Sequence, residues 1–170
     1  MESVSIEKYI EEYGKDVYSF CMYLTKNRFD ADDLYQQTFL VAYEKGSIDS
    51  DKNPKSYLIT IAVNIWNNQI RKTMWRRKKA DIIQYDEDAL ERIEDKDRSI
   101  EEELIYKEEK NRIRKIVDTL PDKMRIVILM FYMEDMSIED IAAALKIPAG
   151  TVKSRLFKAK KILKEKMAYE

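Results

Sequence analysis

Apolar residues at the start of the chain recur every three or four positions, which is the period of an α-helix that buries one face. From residue 6 to residue 25, these positions are Ile6, Tyr9, Ile10, Tyr13, Val17, Phe20, Cys21 and Leu24. Most of the residues between them are polar or charged. This stretch therefore predicts one long amphipathic helix.

The same period predicts two further helices. Asp30 is a suitable N-cap for a helix over residues 31–45, which Gly46 ends. The apolar side of this helix is formed by Leu34, Phe39, Val41, Ala42 and Tyr43. Pro54 suits the first turn of a third helix, which extends to about Met74.

The helical period is lost over residues 81–103, where acidic residues dominate and apolar residues are scattered. A segment of this composition cannot bury much apolar surface, so it predicts a flexible acidic linker. A helix resumes near Ser99 and runs to Leu120, where Pro121 closes it. Residues 122–133 follow as an apolar helix that is predicted to be buried on most sides.

Residues 136–161 predict a helix-turn-helix. Ser137 is a good N-cap, and apolar residues recur at helical spacing in the short helix that follows. Pro148 prevents that helix from continuing. The second helix buries Val152, Leu156 and Ala159, so its other side faces outward.

Composition and pattern together predict an all-α protein of two small helical domains. The 170 residues include 3 Gly and 3 Pro, and 37% are charged, which favours helices over strands. We expect a domain over residues 1–80, a flexible acidic linker over residues 81–103 and a domain with the helix-turn-helix over residues 104–170. There is no long apolar run and no signal-peptide pattern, so we expect a cytoplasmic protein.

The net charge of −1 conceals two basic blocks separated by an acidic one. Residues 64–80 carry +6, residues 81–109 carry −9 and residues 146–170 carry +6. This distribution is typical of a protein that contacts nucleic acid at two places.

The outer face of the second motif helix predicts DNA contact. It carries small and basic side chains, which fit the major groove and its phosphates: Thr151, Lys153, Ser154, Arg155 and Lys158. The alternative is an ordinary helical hairpin with a soluble outer face. The excess of basic residues after residue 146 favours DNA contact.

The first basic block predicts contact with single-stranded or melted DNA. Cations would follow the backbone, rings would stack on bases, and amides would bond base edges. Its candidate contacts are Asn64, Asn67, Asn68, Arg71 and Lys72. The alternative is a helix end whose tryptophans, Trp66 and Trp75, lie in the core.

Catalytic and metal sites find little support in the sequence. The chain has no histidine, so it lacks the usual general base and the commonest zinc ligand. Its single cysteine, Cys21, lies among apolar residues and is predicted to be buried. Asp30, Asp32 and Asp33 are explained by the dipole at a helix start, so we expect no metal and no cofactor.

With these segments placed, the chain resembles the extracytoplasmic-function (ECF) sigma factors of bacteria along nearly all of its length. The resemblance rests on residues 30–39, DADDLYQQTF, and residues 54–64, PKSYLITIAVN. It also rests on Leu120-Pro121 followed by residues 136–156, in which residues 150–156, GTVKSRL, are the most specific part.

The resemblance implies a promoter-specificity subunit that has no catalytic activity or small-molecule substrate and acts when bound to core RNA polymerase. Asp33, Gln36, Gln37 and Phe39 would dock on the polymerase. Residues 64–72, with the loop over residues 47–53, would recognise and help to melt the minus-10 element of promoter DNA. The outer face of the second motif helix would read the minus-35 element, and the acidic linker would lie in the polymerase cleft.

The resemblance further implies an anti-sigma factor as a partner, which could hold the protein at the membrane, and a regulon of the stress or envelope type. The sequence departs from the family at three positions: Gln37 replaces a usual glutamate, Asn68 a frequent aspartate and Lys146 a frequent glycine. The first departure removes one charge from the expected docking surface.

Two alternatives make different predictions. A conventional helix-turn-helix regulator would bind duplex DNA tightly without polymerase, but it accounts only for the last part of the chain. A carboxylate-based nuclease would use Asp30, Asp32 and Asp33 and would cleave DNA in the presence of magnesium.

Overall fold

The computed structural model describes residues 5–46, 53–77 and 100–168, and these residues form helices and short connections. The helices are α1 (Ile6–Thr25), α2 (Arg28–Lys45), α3 (Pro54–Arg77), α4 (Ile100–Asp118), α5 (Asp122–Ile128), α6 (Ile138–Leu145) and α7 (Ala149–Ala168). No β-strand occurs among them, which confirms the all-α class. We refer to α1–α3 as the first half and to α4–α7 as the second half.

The first half is a three-helix bundle. The buried face of α1, including Val17 and Phe20, packs with Leu34 of α2 and with Leu58 and Ala62 of α3. Tyr18 of α1 also donates a 2.6 Å hydrogen bond to Asp32 of α2. Spacing of three and four along each helix produces these faces, so the sequence pattern predicted this bundle well.

The start of α2 differs from the prediction. Asn27, rather than Asp30, is the N-cap, and its side-chain oxygen accepts a 2.8 Å hydrogen bond from the Asp30 backbone N–H. The helix therefore begins at Arg28. Both side chains suit an N-cap, and Asn27 takes the role because its backbone is extended there. Gly46 ends the helix in a left-handed conformation, with φ of 73°.

The second half is built around α5 and its continuation. Directly after α5, residues Leu129–Met133 form a π-helical turn, in which the Glu134 N–H donates to the Leu129 carbonyl across 3.3 Å. Ile126, Val127 and Met130 lie in the core, as predicted for this apolar segment. The sequence pattern did not predict the π turn.

The helix α4 ends at Asp118, two residues before the predicted end at Leu120, and most of its apolar residues are exposed. It begins at Ile100, so residues 100–103 of the predicted linker are helical. Ile116 and Val117 near its end are buried, whereas Leu104, Ile105 and Ile113 are exposed. The remainder of the predicted linker, residues 81–99, lies outside the described residues, as do residues 47–52 of the predicted loop over residues 47–53.

The two halves pack against one another through α1, α3, the π turn and α6. Cys21 of α1 is fully buried, as predicted, and burial raises the pKa of its thiol to about 12. None of the described helices has the length and apolar character that a membrane crossing requires.

Candidate nucleic-acid interface

The helix-turn-helix has the predicted geometry. Ser137 caps α6 by accepting a 3.0 Å hydrogen bond from the Asp140 N–H. Lys146 ends α6 in a left-handed conformation, with φ of 56°, although a side chain disfavours it. The helix α7 then begins at Ala149 and packs on α6.

The outer face of α7 carries the predicted minus-35 residues, which we call the minus-35 surface. Val152, Leu156 and Ala159 are buried beneath it. Lys153, Ser154 and Lys158 are exposed, and Thr151 and Arg155 are half-buried. The structure thus brings all five predicted residues onto the first turns of one helix, where side chains can reach base edges and phosphates.

Phe157 is an additional residue on this side of α7 that the sequence analysis did not select. Its side chain is 71% exposed, and it follows Lys153 by one helical turn. A large apolar side chain among cations can contact a thymine methyl group or a sugar. The exposure of Phe157 could have been predicted from the sequence, because the apolar positions 152, 156 and 159 define a buried side of the helix that excludes position 157.

The predicted minus-10 residues lie along the middle of α3, and we call them the minus-10 surface. Asn68, Arg71 and Lys72 are exposed, whereas Asn64 and Asn67 are half-buried. Trp66 is partly buried and packs against the core, which agrees with the alternative that this tryptophan is a core residue. The side chains of residues 74–77 and the whole of residues 78–79 lie outside the described part of the chain.

The predicted docking residues on α2 do not all share one surface. Asp33 and Gln36 are exposed and Gln37 is half-buried. Phe39 is only 6% exposed, and its ring packs edge-on against Tyr35 with centroids 5.0 Å apart. Phe39 is therefore a core residue whose side chain is not accessible to a partner in this structure, and its docking role stays a prediction.

Two other apolar side chains take the place of Phe39 on this surface. Leu40 is 56% exposed and Tyr43 is 66% exposed. Both follow Asp33 and Gln36 at helical spacing, so they lie on the same side of α2. We call Asp33, Gln36, Gln37, Leu40 and Tyr43 the docking surface. Leu40 was not among the predicted residues, although its spacing from Asp33 and Gln36 places it on their side of the helix.

The acidic start of α2 has local partners for each carboxylate. Asn27 donates to Asp30 at 2.7 Å, Tyr18 donates to Asp32 at 2.6 Å, and Gln37 donates to Asp33 at 2.7 Å. Within the described ranges, no group of three acidic or cysteine side chains converges in a way that could hold a metal ion.

The packing of the two halves leaves the three surfaces uncovered. Lys153 and Lys158 of the minus-35 surface are exposed, and so are Arg71 and Lys72 of the minus-10 surface. The cationic faces are therefore not buried against each other.

Comparison with known proteins places both halves in one family. Residues 9–76 match Sigma-70 region 2, and residues 110–163 match Sigma-70 region 4. The chain is 28% identical to the ECF RNA polymerase sigma factor SigW of Bacillus subtilis, over 93% of this chain and 86% of that protein. It is 31% identical to the ECF RNA polymerase sigma-E factor of Escherichia coli K12, over 81% and 74%.

A solved structure has the same fold. The sigma factor RpoE of Bartonella quintana, in complex with the anti-sigma factor NepR, matches with a TM-score of 0.76 at 22% identity. The match covers 95% of this chain and 96% of that one.

Proposed function

Because this chain belongs to the ECF group of RNA polymerase sigma factors, we propose that its three exposed surfaces divide the work of promoter recognition among them. The protein is a promoter-specificity subunit that binds core RNA polymerase and directs transcription initiation.

The minus-35 surface reads duplex DNA in the major groove. Arg155 and Lys153 can donate to guanine acceptors or phosphates, and Ser154 and Thr151 can bond either base edges or the backbone. Lys158 and Phe157 extend the contact along α7. The exposure of this side of α7, above a buried stripe, supports the assignment.

The minus-10 surface acts on DNA as it melts. Exposed Arg71 and Lys72 can follow the backbone, and Asn68 can bond the edge of an unpaired base. Asn64 and Asn67 lie closer to the bundle and can bond a base inserted against it. By the family resemblance, the loop over residues 47–53 shares in recognition of the minus-10 element.

The docking surface binds core polymerase. Leu40 and Tyr43 offer apolar area that a partner can bury, and Asp33 and Gln36 offer polar groups at its margin. An exposed apolar centre with a polar rim is characteristic of protein interfaces. The acidic linker, residues 81–103, would lie in the polymerase cleft, where negative charge can occupy a nucleic-acid channel.

Polymerase binding precedes promoter binding in this scheme. A small basic module that neutralises about five phosphates binds DNA weakly, with a log-log salt slope of about −4 to −5. Once polymerase holds both halves, the second DNA contact becomes intramolecular and gains a high effective concentration.

The observation that carries the proposal is that the residues of the two DNA motifs and the docking helix all lie on exposed helix faces of a sigma-type fold. Run-off transcription with purified core polymerase tests it directly. We expect promoter-dependent transcripts only when the chain is added. A conventional regulator would instead bind duplex DNA tightly without polymerase and would leave core enzyme inactive, and a nuclease would cleave the template in magnesium.

We further propose that an anti-sigma factor restrains this protein in the cytoplasm, either free or held at the membrane, and that its regulon is of the stress or envelope type. The related fold of RpoE, solved together with NepR, supports this kind of partner. Co-purification of the tagged chain from unstressed cells, with release of the partner on envelope stress, tests the assignment.

A further inference from the structure

Lys160 on α7 lies against two aromatic rings of the π turn. Its Nζ atom is 5.4 Å from the centroid of the Tyr132 ring and 5.8 Å from the centroid of the Phe131 ring. The two rings pack edge-on against each other, with centroids 4.9 Å apart. An ammonium group this close to an aromatic ring is attracted by the negative face of the ring, so the two rings restrict the positions that this cation can take.

The rings hold the cation of Lys160 without neutralising it. Lys160 is exposed, and Tyr132 is 53% exposed. Within the part of the chain that the structure describes, no carboxylate forms an ion pair with Lys160. The ammonium group therefore stays available to an external anion. Because its side chain is already ordered, less conformational entropy is lost when that anion binds.

Lys160 also continues one side of the minus-35 surface. Lys153, Phe157 and Lys160 follow one another at spacings of four and three residues, so they lie in one row along α7. Lys160 is roughly 13.5 Å further along the helix axis than Thr151, at about 1.5 Å per residue. The major groove is about 12 Å wide and 8.5 Å deep. When the first turns of α7 reach base edges, Lys160 therefore lies beside the phosphates that border the groove.

The π turn supplies a second donor at this place. Tyrosine hydroxyls and lysine ammonium groups both donate commonly to phosphate oxygens in protein–DNA complexes. Tyr132 carries such a hydroxyl group, whereas Phe131 is partly buried and packs against the core. Phe131 thus supports the ring of Tyr132 and the stem of Lys160. π turns inside helices occur frequently at functional sites, which agrees with a binding role here.

We propose that Lys160 and Tyr132 form a binding site for a phosphate of the DNA backbone beside the minus-35 element. The ammonium group of Lys160 supplies the positive charge, and the hydroxyl group of Tyr132 donates a hydrogen bond to a phosphate oxygen. The inference rests on the proposed function, since it adds a contact between α7 and the promoter. A phosphate contact carries no base information, so this site positions α7 on the duplex.

Binding of the reconstituted holoenzyme to a short duplex measures this contact. The duplex comes from a promoter on which run-off transcription requires the chain, and it ends between the minus-10 and minus-35 elements. Lys160→Met removes the charge and keeps an apolar stem against the rings. We expect a roughly three- to tenfold loss of affinity at low salt. The log-log salt slope should become shallower by about 0.9, because one phosphate contact is lost.

Two conservative variants separate the charge from the hydrogen bond. Lys160→Arg keeps a cation and should keep the salt slope of the parent. Tyr132→Phe keeps the ring and removes the hydroxyl group, so we expect a roughly two- to tenfold loss of affinity with an unchanged slope. Lys164→Met is the matched control, because it removes an exposed cation one turn further along α7 and should change neither quantity.

Duplexes with substituted minus-35 bases distinguish a phosphate contact from base reading. Lys160→Met should weaken binding by the same factor on every one of these duplexes. A salt slope equal to that of the parent, in a Lys160→Met variant that retains the helical circular dichroism, would overturn the proposal. An equally shallow slope in Lys164→Met would also overturn it, since any cation on α7 would then have the same effect.

Failure of the proposed function is a separate outcome. If core polymerase does not bind the parent chain, or if the parent holoenzyme ignores the duplex, the proposed function fails and the phosphate site fails with it. If the parent holoenzyme binds the duplex and Lys160→Met binds equally well at every salt concentration, only the phosphate site is wrong.

Discussion

The side-chain amide of Gln37 donates a 2.7 Å hydrogen bond to the carboxylate of Asp33, one turn earlier on α2. The oxygen of the same amide accepts a 3.3 Å hydrogen bond from Gln69 on α3. Gln37 therefore connects the docking surface with the helix that carries the minus-10 surface. An amide can make both bonds because it is donor and acceptor at once.

We expect Gln37→Glu to destabilise the protein by about 0.2–0.5 kcal/mol, because it places a second carboxylate one turn after Asp33. Urea unfolding of the purified chain measures the change. The double variant Asp33→Asn, Gln37→Glu restores a donor and acceptor pair, and it should recover most of the loss. Equal stability of the single variant and the parent would show that the Asp33 bond contributes nothing.

We expect Leu40→Ser to weaken binding to core polymerase at least tenfold with little change in stability, because Leu40 is exposed in the free chain. Phe39→Ala should behave in the opposite way and cost about 3–5 kcal/mol of stability, since it opens a cavity in the core. Fluorescence anisotropy against core enzyme and thermal unfolding provide the two measurements. A large loss of binding in a fully folded Phe39→Ala variant would assign docking to Phe39 after all.

We expect Arg155→Ala to reduce minus-35 recognition by about 1–3 kcal/mol and to leave polymerase binding intact. Lys164→Ala is the matched control, because it removes an exposed cation further along the same helix. Transcription from promoters with an altered minus-35 element, together with a binding assay on core enzyme, checks the separation. Equal loss of both activities would count against a role in base reading.

We expect Lys146→Gly to stabilise the protein by up to about 1 kcal/mol, because relief of about 1–2 kcal/mol of left-handed strain exceeds the entropy cost of glycine. Lys146 has a φ of 56°, a conformation that glycine adopts without strain. Lys146→Ala keeps the Cβ atom and should remain close to the parent. Melting temperatures of the parent, Lys146→Gly and Lys146→Ala measure these differences in stability. A melting temperature of Lys146→Gly below that of the parent would contradict the prediction.

We expect stability to fall as the pH rises through about 7 because of Glu134. Burial raises its pKa from an ordinary value of 4.5, so the folded protein holds a proton that the unfolded chain releases. The contribution is complete below about pH 4.5 and is lost above pH 7. Urea midpoints at pH 5, 6, 7 and 8 should fall more steeply in the parent than in Glu134→Gln, which cannot ionise. Parallel curves would show that Glu134 does not titrate in this range.

The short-range features of this protein could be predicted well because they depend on neighbouring residues. The spacing of Val17, Phe20 and Leu24 produces the buried face of α1, and the spacing of Val152, Leu156 and Ala159 directs the minus-35 surface outward. Ser137 was identified as a cap because its side chain acts within three residues.

The exposure of the predicted docking residues could be foreseen less well, because Phe39 and Leu40 are adjacent apolar residues on different sides of α2. Phe39 lies one turn after Tyr35 and one turn before Ala42, on the buried side of α2. Leu40 lies one turn after Gln36, on the polar side. The choice between Asn27 and Asp30 as cap was similarly close, and the backbone conformation at Asn27 decided it.

The sequence by itself determined the helical class, the helix-turn-helix and the family. Helical period, capping residues and motif order depend only on the identity and spacing of residues along the chain. Only the tertiary structure decided how the halves meet. Arg125 donates a hydrogen bond to the backbone carbonyl of Leu24, 101 positions away, and Lys26 donates to that of Asp118, 92 positions away, so no periodic pattern pairs them. Such pairs form only when packing brings a cationic side chain to the unsatisfied carbonyls at a helix end.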